Sequence, residues 1–110
     1  MLTRDHVRAA ALALPEAYED GHFDATSFRV NKKIFCTIHP EGGGEAARFV
    51  LKLDPEDQHN LADGGVIRPV PNNWGAKGWT YVDYAQLEPA RLPDLMRMAW
   101  AQVAPKRLLK

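Results

Sequence analysis

The residues whose types and spacing could do chemistry are Arg29, Phe35, Arg48, Lys52 and Trp79. Guanidinium and ammonium groups neutralise phosphates, and aromatic rings set among them stack on bases, at ~1–3 kcal/mol each. Lys77 stands just before Trp79 and can join them. Lys32 and Lys33 fall where a tight turn would hold them outward as a wing. The same side chains have a plainer use, as cross-strand pairs whose Arg and Lys stems cover Phe35 and Trp79. Both readings need these residues on one face of one sheet.

Other chemistries find less support. His6, His22, His39 and His59 contain no i,i+4 pair, and Cys36 has no second cysteine to share a metal with. Glu19, Asp20, His22 and Asp24 form an acid-rich cluster able to hold a cation only weakly. Cys36 alternates with Ile34 and Ile38, the pattern of a buried thiol rather than a nucleophile. Gly42-Gly43-Gly44 lies between Glu41 and Glu45 and lacks a following Lys-Ser/Thr, so it reads as a flexible hairpin loop and not a phosphate cradle. Ser27 has no G-x-S-x-G context. No enzyme signature, metal set or cofactor motif emerges, and the chain reads as non-enzymatic.

The elements that must position the basic and aromatic residues lie between Phe28 and Leu53. Three short apolar runs, joined by an Asn31-Lys32 turn and the glycine loop, describe an antiparallel meander. Side chains alternate between the faces of a strand. That assigns Phe28, Val30, Ile34, Cys36, Ile38, Phe49, Leu51 and Leu53 to a core face. Arg29, Phe35, Thr37, Arg48, Val50 and Lys52 fall on the other. Trp79 to Tyr84 is a further strand, with Thr80, Val82 and Tyr84 on one side and Trp79, Tyr81 and Asp83 on the other.

Around the meander, Thr3 caps a helix over residues 3–14 with Val7, Ala10, Ala11 and Leu14 as its apolar stripe, stopped by Pro15. Residues 17–23 form a short first strand or extended segment. Asp54-Pro55-Glu56-Asp57 starts a short helix that ends at Gly64-Gly65. Val66 to Val70 is an edge strand bounded by prolines, and residues 71–78 are a loop by turn chemistry. A last helix over residues 89–104 buries Leu92, Leu95, Met96, Ala99, Trp100 and Val103, with its regular part starting near Pro93. Trp100 belongs to the core and Trp79 to the open face.

The 110 residues make one domain with a single core, and no apolar run nears the ~20 residues of a membrane helix. Arg4, Asp5, His6 and Arg8 interrupt any signal peptide, and the lone cysteine fits a cytoplasmic protein. Net charge is zero, from 14 Lys+Arg and 14 Asp+Glu, which weighs against long-range attraction to phosphates. Residues 29–52 nevertheless hold five basic side chains against Glu41 and Glu45. The fold class that follows is α+β, a two-layer sandwich with helices on one face of an antiparallel sheet and the basic, aromatic face open.

Phe28-Arg29-Val30, Lys33-Ile34-Phe35, Leu51-Lys52-Leu53-Asp54-Pro55-Glu56, Val66-Ile67-Arg68-Pro69, Lys77-Gly78-Trp79 and the closing Ala99-Trp100 with Val103-Ala104-Pro105-Lys106 resemble the MmcQ/YjbR family of small bacterial proteins. The resemblance spans nearly the whole chain, departing at Asn72-Asn73-Trp74-Gly75. It implies a fold like CyaY and frataxin, and the double-wing DNA binding proposed for the family. Frataxin-type iron binding uses acids along the first helix, where this chain offers Asp5 and then Glu16 beyond its end. The expectation is thus a binding protein with DNA as partner, on Arg29, Lys32, Lys33, Phe35, Arg48, Lys52, Lys77 and Trp79. The alternatives are a protein-docking adaptor on the same face, or a small-ligand binder at residues 72–78.

Overall fold

The computed structural model describes residues 2–22, 25–39, 47–63 and 65–109. Thr3 starts α1 (Arg4–Leu12) with a reciprocal cap: its Oγ1 accepts from the His6 N–H, and its own N–H donates to His6 Nδ1 at 3.1 Å. The imidazole thus fills the role usually taken by a glutamate three residues into a helix. Val7 and Ala11 face the core, and the helix ends two residues before the apolar stripe does.

Among the described residues six antiparallel strands follow: β1 (Tyr18–His22), β2 (Ala25–Val30), β3 (Lys33–Ile38), β4 (Arg48–Lys52), β5 (Ile67–Pro69) and β6 (Trp79–Asp83). Their order across the sheet is β1-β2-β3-β4-β6-β5. Asn31 and Lys32, both at positive φ, make the two-residue turn whose twist suits a hairpin. The expected Gly42–Gly44 loop and the Glu41 and Glu45 beside it lie outside the described residues.

Between β2 and β3 the register slips. Phe28 pairs with Cys36, but Arg29 pairs with Ile34, so Phe35 is one residue too many. Such a bulge turns two neighbouring side chains to one side. Phe35 and Cys36 are both fully buried in the core, while Ile34 comes out on the opposite face. Simple alternation put Phe35 on the open face and Ile34 in the core, and both assignments are corrected by the bulge. Phe28, Phe49, Leu51, Leu53 and Val82 occupy the core face as their spacing implies, and Ile67 joins them from β5.

Asp54 Oδ1 accepts from the Glu56 N–H at 2.8 Å and opens α2 (Pro55–Leu61). Asp63 then accepts from the N–H groups of Gly65 and Ile67, which holds its carboxyl below the usual range and leads the chain into β5. Asn73–Ala76 is a one-turn helix, α3, where turn chemistry indicated only a loop. A 3-10 turn (Pro89–Arg91) precedes α4 (Leu92–Val103), with Pro93 in its first turn. Leu92, Leu95, Met96, Ala99 and Trp100 of α4 are buried against the sheet and α1. This is an α+β sandwich with its two longer helices on one side of the sheet. Among the described residues no helix is long and apolar enough to cross a membrane.

A candidate binding cleft on the open sheet face

Strand register lines up a row of side chains on the face opposite the helices. Ser27 pairs with Thr37, Thr37 with Val50, Val50 with Tyr81, and Tyr81 with Arg68. Thr37 and Val50 are nearly closed off from solvent. They lie within a cleft of about 480 Å³ that Ile34, His39, Val70, Trp74, Trp79 and Tyr81 complete. That volume is in the ~300–1,000 Å³ range of small-molecule sites, and the mix of aromatic and aliphatic walls with few polar groups is also typical.

Trp74 is brought to the cleft by α3. Asn72 Oδ1 accepts from the Trp74 N–H at 2.8 Å, capping this single turn with its backbone at φ 119. Such a φ is costly for a residue other than glycine, and strained positions of this kind cluster at binding sites. A Cβ on Gly75 would meet the Val70 carbonyl oxygen at 2.0 Å, so only glycine lets α3 press this closely on the end of β5. Gly78, at φ +105, is equally confined, since its Cβ would lie 1.8 Å from the Leu53 carbonyl oxygen. Lys52 Nζ donates to the Lys77 carbonyl at 2.7 Å and ties the end of α3 to β4. The Trp74 and Trp79 rings meet edge to face with centroids 6.5 Å apart, and Trp74 remains 57% exposed.

Cations surround these rings. The Arg48 guanidinium lies 4.0 Å from the Tyr81 ring centroid and that of Arg68 5.5 Å from it. Lys77 Nζ stands 5.1 Å from the centroid of Trp74. Attraction to the ring quadrupole helps to hold such cations against the rings. Arg68 Nη1 also donates to the Gly65 carbonyl and approaches Asp83 Oδ1 at 3.4 Å. The strands place Arg29, Arg48, Lys52 and Arg68 on this face with Asp20 and Asp83, and Lys77 joins from α3. Among the described residues this face carries more cations than carboxylates, although the whole chain is neutral.

Of the expected site residues, Trp79 lines the cleft, Arg48 and Lys77 lie against its Tyr81 and Trp74 rings, and Lys52 bonds the Lys77 carbonyl. Arg29 shares the face, but its guanidinium turns toward β1, with Nε donating to Ser27 Oγ and Nη2 to the Gly21 carbonyl. Lys32 sits at the tip of the β2–β3 hairpin. Lys33 pairs with core-facing Val30 and so leaves from the helix-bearing side. Phe35 is excluded by its burial. The plainer reading had Arg and Lys stems over Phe35 and Trp79, whereas the cations lie over other rings, Arg48 and Arg68 over Tyr81 and Lys77 over Trp74.

The other candidates fall apart in space. Glu19 lies toward α1, where Arg8 Nε reaches it at 2.7 Å, whereas Asp20 is on the open face, so these two acids do not converge. Asp24 lies outside the described residues. Among the described residues no three His, Cys, Asp or Glu side chains meet as a metal set. Burial pushes the Cys36 thiol far up, away from the thiolate a nucleophile requires.

The family model described as YjbR matches residues 12–102. The chain belongs to the YjbR family. A comparison with curated proteins finds no match. The YjbR match runs from the end of α1 to the last turn of α4, so it takes in every strand and the whole cleft.

In this YjbR domain, His39 and Arg68 were not assigned to the open face by sequence reasoning, and Trp74 entered only through the alternative small-ligand site at residues 72–78. Trp74 sits on a helix too short for periodicity to reveal. His39 follows the last residue of β3, and its Nδ1 is buried with no hydrogen-bond partner among the described residues. Arg68 reaches the face from an edge strand whose neighbour, β6, comes later in the chain. The Asn72-Asn73-Trp74-Gly75 departure was the available signal, because an Asn before a Trp-Gly pair marks a capped, closely packed turn.

Proposed function

We propose that this protein is a non-enzymatic nucleic-acid binder that holds its ligand across the open sheet face. The observation that carries the reading is the placement of Arg48, Lys52, Arg68 and Lys77 around one aromatic cleft. Phosphates attract the cations, while the apolar walls receive what lies between phosphates. Guanidinium groups resting on Tyr81 are oriented before a ligand arrives, so less side-chain freedom is lost on binding. Among the described residues the cleft lining holds one imidazole and neither a carboxylate nor a thiol, a set suited to contact rather than to acid–base turnover. A nucleic-acid ligand agrees with the cytoplasmic address that the lone cysteine suggests, and DNA is the ligand proposed for the family that the sequence resembles.

Fluorescence anisotropy of a labelled oligonucleotide, titrated between low and moderate salt, tests the reading. Affinity is expected to fall linearly on a log–log plot, with a slope of about 0.7 per phosphate contact for single strands and 0.9 for duplex. Arg48→Ala and Lys52→Ala should each lower the slope by about one contact. Absence of binding at low salt, or binding indifferent to salt, overturns it. Salt-indifferent capture of a protein that depends on Trp79 would favour the docking adaptor, since Trp, Tyr and Arg are also the residues of interface centres.

A further inference from the structure

We infer that the cleft takes one unpaired nucleobase, so that the ligand of this face is single-stranded rather than duplex nucleic acid; this rests on the nucleic-acid reading above. A base is flat, apolar on its faces and polar at its edge. The cleft offers matching surfaces: the Trp74, Trp79 and Tyr81 rings and the Ile34, Val50 and Val70 side chains for the faces, and Thr37 and His39 for an edge.

Charge complementarity selects this occupant over an uncharged aromatic ligand. Lys77 lies over Trp74 itself, Lys52 is bonded at the end of the same helical turn, and Arg48 and Arg68 flank Tyr81. A nucleotide entering base first leaves its phosphates at the rim, among these cations.

A duplex cannot use the cleft in this way. Its base faces are covered by neighbouring pairs, and its accessible edges need an array of donors and acceptors. Thr37 is nearly buried beside Val50, below walls of larger rings, so a base must leave its stack to reach it. The cleft is also built in advance. The close approach of Gly75 to Val70 sets the Trp74 wall, and Gln58 Nε2, donating to the Trp79 carbonyl at 3.0 Å, holds the Trp79 wall.

The test compares three probes at one salt concentration: a labelled 12-nucleotide single strand, its duplex, and a strand of equal length with abasic sites throughout. The full-length protein and its Trp74→Ala and Trp74→Phe variants are titrated with each. The single strand is expected to bind about tenfold tighter than the duplex or the abasic strand, the factor that ~1.4 kcal/mol of stacking provides. Trp74→Ala should weaken the single strand about tenfold, leave the abasic strand and the salt slope unchanged, and be largely rescued by Trp74→Phe. Equal affinity for all three probes, or a single strand indifferent to Trp74→Ala, overturns the base site while leaving a phosphate-binding face intact. No binding of any probe removes the nucleic-acid reading and this inference with it.

Discussion

Gln58 Nε2 donates both to the Trp79 carbonyl at 3.0 Å and to Thr80 Oγ1 at 2.9 Å, tying α2 to the strand that carries a cleft wall. The Gln58 amide is buried, and Thr80 passes the contact on by donating to the Gly78 carbonyl at 2.9 Å. A side chain beneath the sheet thereby fixes a ring on its other face. Removing the amide in Gln58→Ala should cost about 1–3 kcal/mol, for two lost bonds inside the protein. Urea unfolding followed by far-UV circular dichroism measures it. A variant as stable as the parent would mean that the buried amide contributes nothing net.

Phe35 and Trp74 should respond in opposite ways to truncation. Phe35→Ala empties a fully buried site and is expected to lose about 3–5 kcal/mol. Trp74→Ala, at a largely exposed position, should stay within about 0.5 kcal/mol of the parent. Unfolding midpoints of the two variants decide this, and equal losses would contradict the bulge at Phe35.

Gly75→Ala should lift α3 off the sheet, because the added methyl meets backbone rather than a side chain that can swing away. The expected cost is about 1–3 kcal/mol. Near-ultraviolet circular dichroism should also lose the contribution of the Trp74–Trp79 pair, and amide exchange should quicken at Trp74 to Lys77. An unchanged spectrum would show that α3 accommodates the methyl without moving.

The acid response should include a local step at Glu16. Arg107 holds Glu16 through two bonds, at 2.6 and 2.7 Å, and these keep its carboxyl below the ordinary value of 4.5. Because the folded value is the lower one, the pair contributes fully above about pH 4.5, and its contribution fades as pH falls through the folded value. The pair is exposed, so the effect on global stability is small. Carboxyl NMR titration of Glu16 should give a midpoint below 4.5 that returns to the ordinary value in Arg107→Gln.

What could be read from the sequence is what neighbours along the chain determine. Asp54-Pro55 announces α2, Asn31-Lys32 a hairpin turn, and the spacing of Leu92, Leu95, Met96, Ala99 and Trp100 the buried side of α4, because caps, turns and helical faces are local. Alternation also put Arg48, Lys52, Trp79 and Tyr81 on one face correctly. Adjacency was not legible. Arg48 rests on Tyr81 only because β6 passes β5 to pair with β4, a choice made between segments some thirty positions apart. Phe35 was misplaced for the same reason, since its bulge exists only in the pairing of β3 with β2. Trp74 depends on a glycine contact with the carbonyl of Val70, which no periodicity records.

The extra residue in β3 is a spare link. Ile34 and Thr37 look toward the same side although three positions separate them, an interval that an unbroken strand would send to opposite sides. Excising Phe35 would take out that link and restore plain alternation, with Ile34 and Thr37 still facing the cleft and Cys36 still facing inward. The loss would be confined to packing beneath the sheet. Excising Thr37 would instead turn Ile38, the last residue of the strand, to the other side. At this one point the chain tolerates a change of length with its outward pattern preserved, and the penalty is carried wholly by the interior.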